Sequence, residues 1–104
     1  MWLMTTRGFF SVVEHREDDN LLLIRARCKQ DIEALADLVP GTPINLLDAD
    51  YAWRIEATRA QWAEALMTLL AEVTYPNFKN AIDDRDHHDA YLGVWHQLLV
   101  LDDR

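Results

Sequence analysis

One cysteine, three glycines and three prolines are all that this 104-residue chain has of each. The lone thiol, Cys28, can close no internal disulfide and belongs to no metal-type cysteine spacing. Gly8, Gly41 and Gly93 are too scattered to draw a phosphate-cradling loop. No apolar run approaches the ~20 residues that span a bilayer. The start, Met1-Trp2-Leu3-Met4-Thr5, lacks a basic segment followed by a long apolar core, so no secretory signal is read. Together these point to a cytoplasmic protein without a membrane partner. Positive charge is also scarce, with 10 basic against 18 acidic groups and a net charge of −8. The average field then repels phosphate, so no direct nucleic-acid binding is expected.

What is present is a core. Half the residues are hydrophobic and four are tryptophan, which excludes disorder and fits one domain spanning residues 1–104. The firmest stretch runs from Thr58 to Val73. Trp62, Leu66, Leu69, Leu70 and Val73 fall at the spacing that lines one side of a helix, with Gln61, Glu64, Thr68 and Glu72 opposite. Thr58 and Gln61 form a capping box at its start, and Tyr75-Pro76 stops it. Burying that stripe is worth at most about 10 kcal/mol, so the remainder should be built to cover it.

Ahead of this helix, Phe9 to His15 is aromatic and β-branched and reads as a strand. Trp2 to Thr5 either pairs with it as a short hairpin arm or forms its beginning. Leu21 to Cys28 is a second strand, with Leu22, Ile24, Ala26 and Cys28 on one face and Arg25 and Arg27 on the other, beside Leu21 and Leu23. Gln30 to Val39 turns helical through Ile32, Leu35, Ala36 and Val39, and Pro40-Gly41 ends it. Ile44 to Leu47 is a third strand. Tyr51 to Ala57 is a fourth, alternating Tyr51, Trp53, Ile55 and Ala57 against Ala52, Arg54 and Glu56. After Pro76 come a short helical turn near Asn77–Ile82 and a last helix to about Leu101, striped by Tyr91, Leu92, Trp95, Leu98 and Leu99. The expected class is α+β: a four-stranded, mostly antiparallel sheet in ββαββαα order, with helices on one face.

Three constellations could carry chemistry. Asp83, Asp84, Asp86, His87, His88 and Asp89 open the last helix. Asp84 with His88, or Asp83 with His87, sits at i, i+4 and could hold two metal positions, whereas a firm site takes three or four protein ligands. The plainer reading is a solvated acidic helix start that suits the dipole. Arg25, Arg27 and Arg54 alternate onto one sheet face, where forked donors could take a phosphate or carboxylate. The plainer reading there is cross-strand pairing with Glu14 and Glu56. Asn77, Phe78 and Lys79 with Tyr91 and Trp95 form a third set, more in keeping with a core than a ligand platform. Cys28 reads as a small buried hydrophobe, and Ser11 lies in no nucleophile elbow.

Certain runs also carry a resemblance: Met1-Trp2, Gly8-Phe9-Phe10-Ser11-Val12-Val13, Arg25-Ala26-Arg27 before Asp31-Ile32-Glu33-Ala34-Leu35, Tyr75-Pro76-Asn77-Phe78-Lys79-Asn80-Ala81, and Tyr91 with Val94-Trp95. Over most of its length the chain resembles a family of short uncharacterised bacterial proteins. The resemblance implies no activity, cofactor or catalytic residue.

No acid/base pair, nucleophile with base or complete metal shell can be assembled from these residues. The expectation is therefore a non-enzymatic domain without cofactor that binds another protein. A sharper form is an acidic inhibitor or nucleic-acid mimic, such as a phage anti-defence protein, presenting carboxylates to a basic groove. The rival class is a metal-linked or enzymatic module built on His87, His88 and Asp84. A third reading is a homodimer through the exposed sheet face.

Overall fold

The computed structural model describes residues 1–103 and has the α+β class, with an antiparallel sheet and three helices. The chain divides into two compact units, Met1–Val73 and Thr74–Arg104.

The first unit holds the strands β1 (Trp2–Met4), β2 (Phe9–Glu14), β3 (Leu21–Ala26), β4 (Ile44–Asn45) and β5 (Trp53–Thr58). They form one sheet in the order β1-β2-β3-β5-β4, every neighbouring pair antiparallel. This corrects the expected sheet: there are five strands, not four, and the order of elements opens with three strands. The added strand is Trp2–Met4, which pairs Leu3 with Phe10 as a separate hairpin arm. A turn at residues 5–8 makes it separate. Thr5 N–H donates to the Gly8 carbonyl at 3.0 Å, and Gly8 adopts φ +151°, a backbone state that side chains other than hydrogen rarely tolerate.

Strand β4 is shorter than expected because the chain turns after Leu46, with Ala49 N–H donating to the Leu46 carbonyl at 3.0 Å. Tyr51 and Ala52 precede β5 rather than opening it. The helix expected over residues 30–39 is regular only in α1 (Lys29–Glu33), and tighter turns continue it to Val39. Its apolar side survives that change, since Ile32, Leu35 and Val39 are all buried. Helix α2 (Arg59–Ala71) starts at Thr58 with the capping box in place. Gln61 N–H donates to Thr58 Oγ1 at 3.1 Å, and Thr58 N–H donates to Gln61 Oε1 at 2.9 Å.

The pairing register puts Phe10 and Val12, Leu22, Ile24 and Ala26, and Ile55 and Ala57 on one face. Helices α1 and α2 share the same core through Ile32, Leu35, Trp62, Ala65 and Leu69, so both lie on that face. The buried line of α2 is narrower than its apolar stripe. Trp62, Ala65 and Leu69 are inside, whereas Leu70 (72 % exposed) and Val73 face out. Leu70 follows Leu69 by about 100° around the helix, far enough to leave the sheet.

The second unit carries a 3₁₀ turn (Lys79–Ala81), helix α3 (Arg85–Leu98) and a closing 3₁₀ turn (Leu99–Leu101). Tyr75, Phe78 and Tyr91 gather their rings, Phe78 stacking on Tyr91 at 5.3 Å and tilting toward Tyr75 at 5.7 Å. Among the described residues no helix is long and apolar enough to cross a membrane.

Candidate functional site

The outer face of the sheet, opposite α1 and α2, carries the arginines singled out in the sequence. One cross-strand row runs Trp2, Ser11, Arg25, Arg54 and Ile44 through all five strands. Arg25 and Arg54 are direct partners in that row, so two like charges stand side by side. Cross-strand neighbours have Cβ atoms about 5 Å apart, and like charges there repel.

Each guanidinium is held by a neutral oxygen. Arg25 donates from Nη2 to Ser11 Oγ at 2.7 Å. Arg54 donates from Nη2 and Nε to the Tyr51 carbonyl at 3.0 and 3.3 Å. The Arg25 and Arg27 guanidinium carbons lie over the Tyr51 ring, 4.6 and 4.4 Å from its centre, a cation–π arrangement. Phe9 closes on Tyr51 at 6.4 Å and Trp2 meets Phe9 edge-on at 6.0 Å. Ser11 and Tyr51 are buried, and Arg25 and Arg54 are half-buried.

The carboxylates expected to neutralise this face are engaged elsewhere. Glu14 pairs with Arg59 at 2.6 Å and Glu56 with His15 at 3.1 Å. Arg27, one residue past the end of β3, takes Asp50 at 2.8 Å in the segment between β4 and β5. Among the described residues, neither Arg25 nor Arg54 forms an ion pair with a carboxylate. Burial pulls the Arg54 pKa below its ordinary value, and the neighbouring Arg25 and then Arg16 add to this. The local field on the face is therefore positive in a molecule of net charge −8.

In the second unit, Asp84 caps α3. Its carboxylate accepts from His87 N–H at 2.9 Å and also meets His87 Nδ1. That contact holds the Asp84 carboxyl below the usual carboxylate range. The observed pairs are thus i, i+3 for Asp84 and His87 and adjacent for His88 and Asp89, at 3.6 Å, instead of the i, i+4 pairs Asp84–His88 and Asp83–His87. The cap geometry decides this, because an N-cap side chain bends over the first turn instead of running up the helix. Asp83, Asp86 and Asp89 are exposed. His87 and Tyr91 pack edge-on. Lys79 Nζ stands 4.2 Å over the Trp95 ring, which is itself on the surface. Cys28 sits, half-buried, at the cap position of α1.

Two groups were not singled out from the sequence. Alternation alone puts Tyr51 on the core face of its strand, yet the bend at Asp50 and Tyr51 sets the ring on the outer face against Arg25 and Arg27. Arg7 clamps three segments: Nε and Nη2 bind Glu72, Nη1 binds Asp37 at 2.6 Å, and Nη1 also reaches the Ala34 carbonyl at 2.8 Å. Its partners lie 27 to 65 positions away, so no local pattern marks them. No protein-family model, curated protein or solved structure matches this chain.

Proposed function

We propose that the chain is a non-enzymatic binding domain that engages a second protein, with α3 and the turn after it as the contact. The observation that carries this reading is the uncovered apolar ridge there: Trp95 is 46 % exposed, Leu98 49 %, Val100 83 % and Leu101 73 %. Trp95 and Leu98, and Leu98 and Leu101, stand three residues apart, the spacing of a helix-in-groove anchor. Tryptophan and leucine lose the most water when such a face is covered, and tryptophan is enriched among residues that dominate interface energy.

The acids at the start of α3, Asp83, Asp86 and Asp89, and Asp102 and Asp103 beyond it, give the contact its sign. They favour a partner with a basic rim, which is the sense in which an inhibitor acting by charge mimicry fits this chain. Arginine forks, tyrosine rings and solvated carboxylates are binding groups.

The test is affinity capture with wild type and a Trp95→Ala/Leu98→Asp double variant. A specific partner should be retained by wild type and lost at least tenfold by the variant, with the melting temperature unchanged. Equal capture by both would remove α3 from the contact. Size-exclusion chromatography with light scattering on the same pair separates a second copy of this chain from a different protein. The metal-linked alternative keeps the contact between Asp84 and His87 as its support, two donors where firm sites use three or four. Metal analysis of protein purified without an affinity tag decides it.

A further inference from the structure

The outer sheet face offers something the protein-binding ridge does not use. Arg25 and Arg54 are paired across β3 and β5, both half-buried, without a carboxylate between them among the described residues. Each guanidinium has five N–H donors in a fixed fork. Arg25 commits Nη2 to Ser11 Oγ, with a longer contact from Nε to the Ser11 carbonyl at 3.5 Å. Arg54 commits Nε and Nη2 to the Tyr51 carbonyl. In both cases these bonds leave Nη1 with its donors to spare.

We propose that Arg25 and Arg54 together bind one phosphate-class oxyanion on the outer face of the sheet, with Ser11 and Tyr51 holding the two forks in position.

Four features of the face support this. Two like charges in direct cross-strand register destabilise a sheet unless something compensates them. The usual compensators are absent here, since Glu14 and Glu56 are drawn to Arg59 and His15 and Asp50 to Arg27. The forks are pre-ordered by buried oxygens and by the Tyr51 ring, so little rotamer freedom remains to be lost on binding. The neighbouring Arg16 adds to the positive field felt at Arg54. A tetrahedral group with three or four oxygens can accept from two forks that come from different strands. A carboxylate, with two oxygens, is satisfied by one.

The ligand should be small. Local attraction acts within a Debye length of about 8–10 Å, beyond which the net charge of −8 repels a long polyanion.

The experiment is thermal unfolding of the full chain at neutral pH, with inorganic phosphate added at constant ionic strength. The melting temperature of wild type should rise by about 6 °C once phosphate is about ten times its Kd. Acetate at the same concentration should give no rise. Arg25→Gln should fold, since it relieves the like-charge pair, and should lose the phosphate response. Nitrogen-15 NMR provides a readout independent of stability: the Nε–Hε signals of Arg25 and Arg54 should move with phosphate while that of Arg59, bound to Glu14, stays. A larger response to O-phosphoserine than to inorganic phosphate would place the group on a phosphomonoester, and the reverse would assign it to free phosphate. Both outcomes support the site. An unchanged melting temperature in wild type, an equal response in Arg25→Gln, or equal protection by acetate would each overturn it.

Discussion

At the residue scale, Arg7 and Gly8 do the most with the least chain. The Arg7 guanidinium joins Glu72 and Asp37, and its hydrogen bonds hold both carboxyls below the usual carboxylate range. Replacing it, Arg7→Met, leaves two carboxylates and the Ala34 carbonyl without their donor and should cost on the order of 2 kcal/mol. The pH dependence has a definite sign. A carboxyl whose pKa is depressed in the folded state stabilises above its ordinary pKa and loses that contribution as the pH falls through and below it. Between about pH 6 and pH 3, wild type should therefore lose more stability than Arg7→Met, read as melting temperature against pH. Parallel curves would mean the clamp contributes nothing. Gly8 is constrained twice: its φ is +151°, and an added Cβ would stand 2.4 Å from Asp31 Cγ. The buried Asp31 carboxylate is fixed there by accepting from Phe9 N–H at 3.0 Å. Gly8→Ala should cost more than about 2 kcal/mol in chemical denaturation.

At the element scale, α2 separates what periodicity can tell from what it cannot. The stripe Trp62, Leu66, Leu69, Leu70 and Val73 correctly marks a helix, and the capping box correctly marks its start. The stripe is wider than the surface it covers. Ala65, too small to stand out in a sequence, is buried, while Leu70 is exposed. Leu69→Ala should then cost about 2–5 kcal/mol and Leu70→Ala within about 0.5, measured by the same unfolding experiment. Equal losses would show that α2 buries the whole stripe. Strand β1 illustrates the opposite case. Three residues, Trp2–Met4, are too few to show alternation, and only the turn at Gly8 and pairing to Phe9–Ser11 make them a strand. The arginine row was legible in part: alternation put Arg25 and Arg54 on one face. Their opposition, and the capture of Glu14 and Glu56 by other groups, depended on register.

At the scale of the whole molecule, charge and apolar surface are distributed unevenly. The net charge is −8, yet one patch of the sheet is positive and the end of α3 is apolar. If the acidic face steers a basic partner onto α3, raising salt from about 50 to 200 mM should weaken binding by slowing association, with dissociation changed less. Surface-plasmon or stopped-flow rates distinguish this from a contact held by the apolar ridge alone, whose association would be indifferent to salt.

Composition and periodicity by themselves determined that this chain buries a core, that it mixes strands with helices, and where α2 begins. Those properties are local: hydrogen-bond caps, turn residues and the 2.0 and 3.6 repeats are complete within a few positions. Only the tertiary structure decided that five strands pair, that Arg7 reaches residues 30 and 65 positions away, and that Arg25 and Arg54 meet without a carboxylate. Such outcomes depend on register and on which of several acids each base reaches first. A one-residue slip would reassign every one of them without altering the composition.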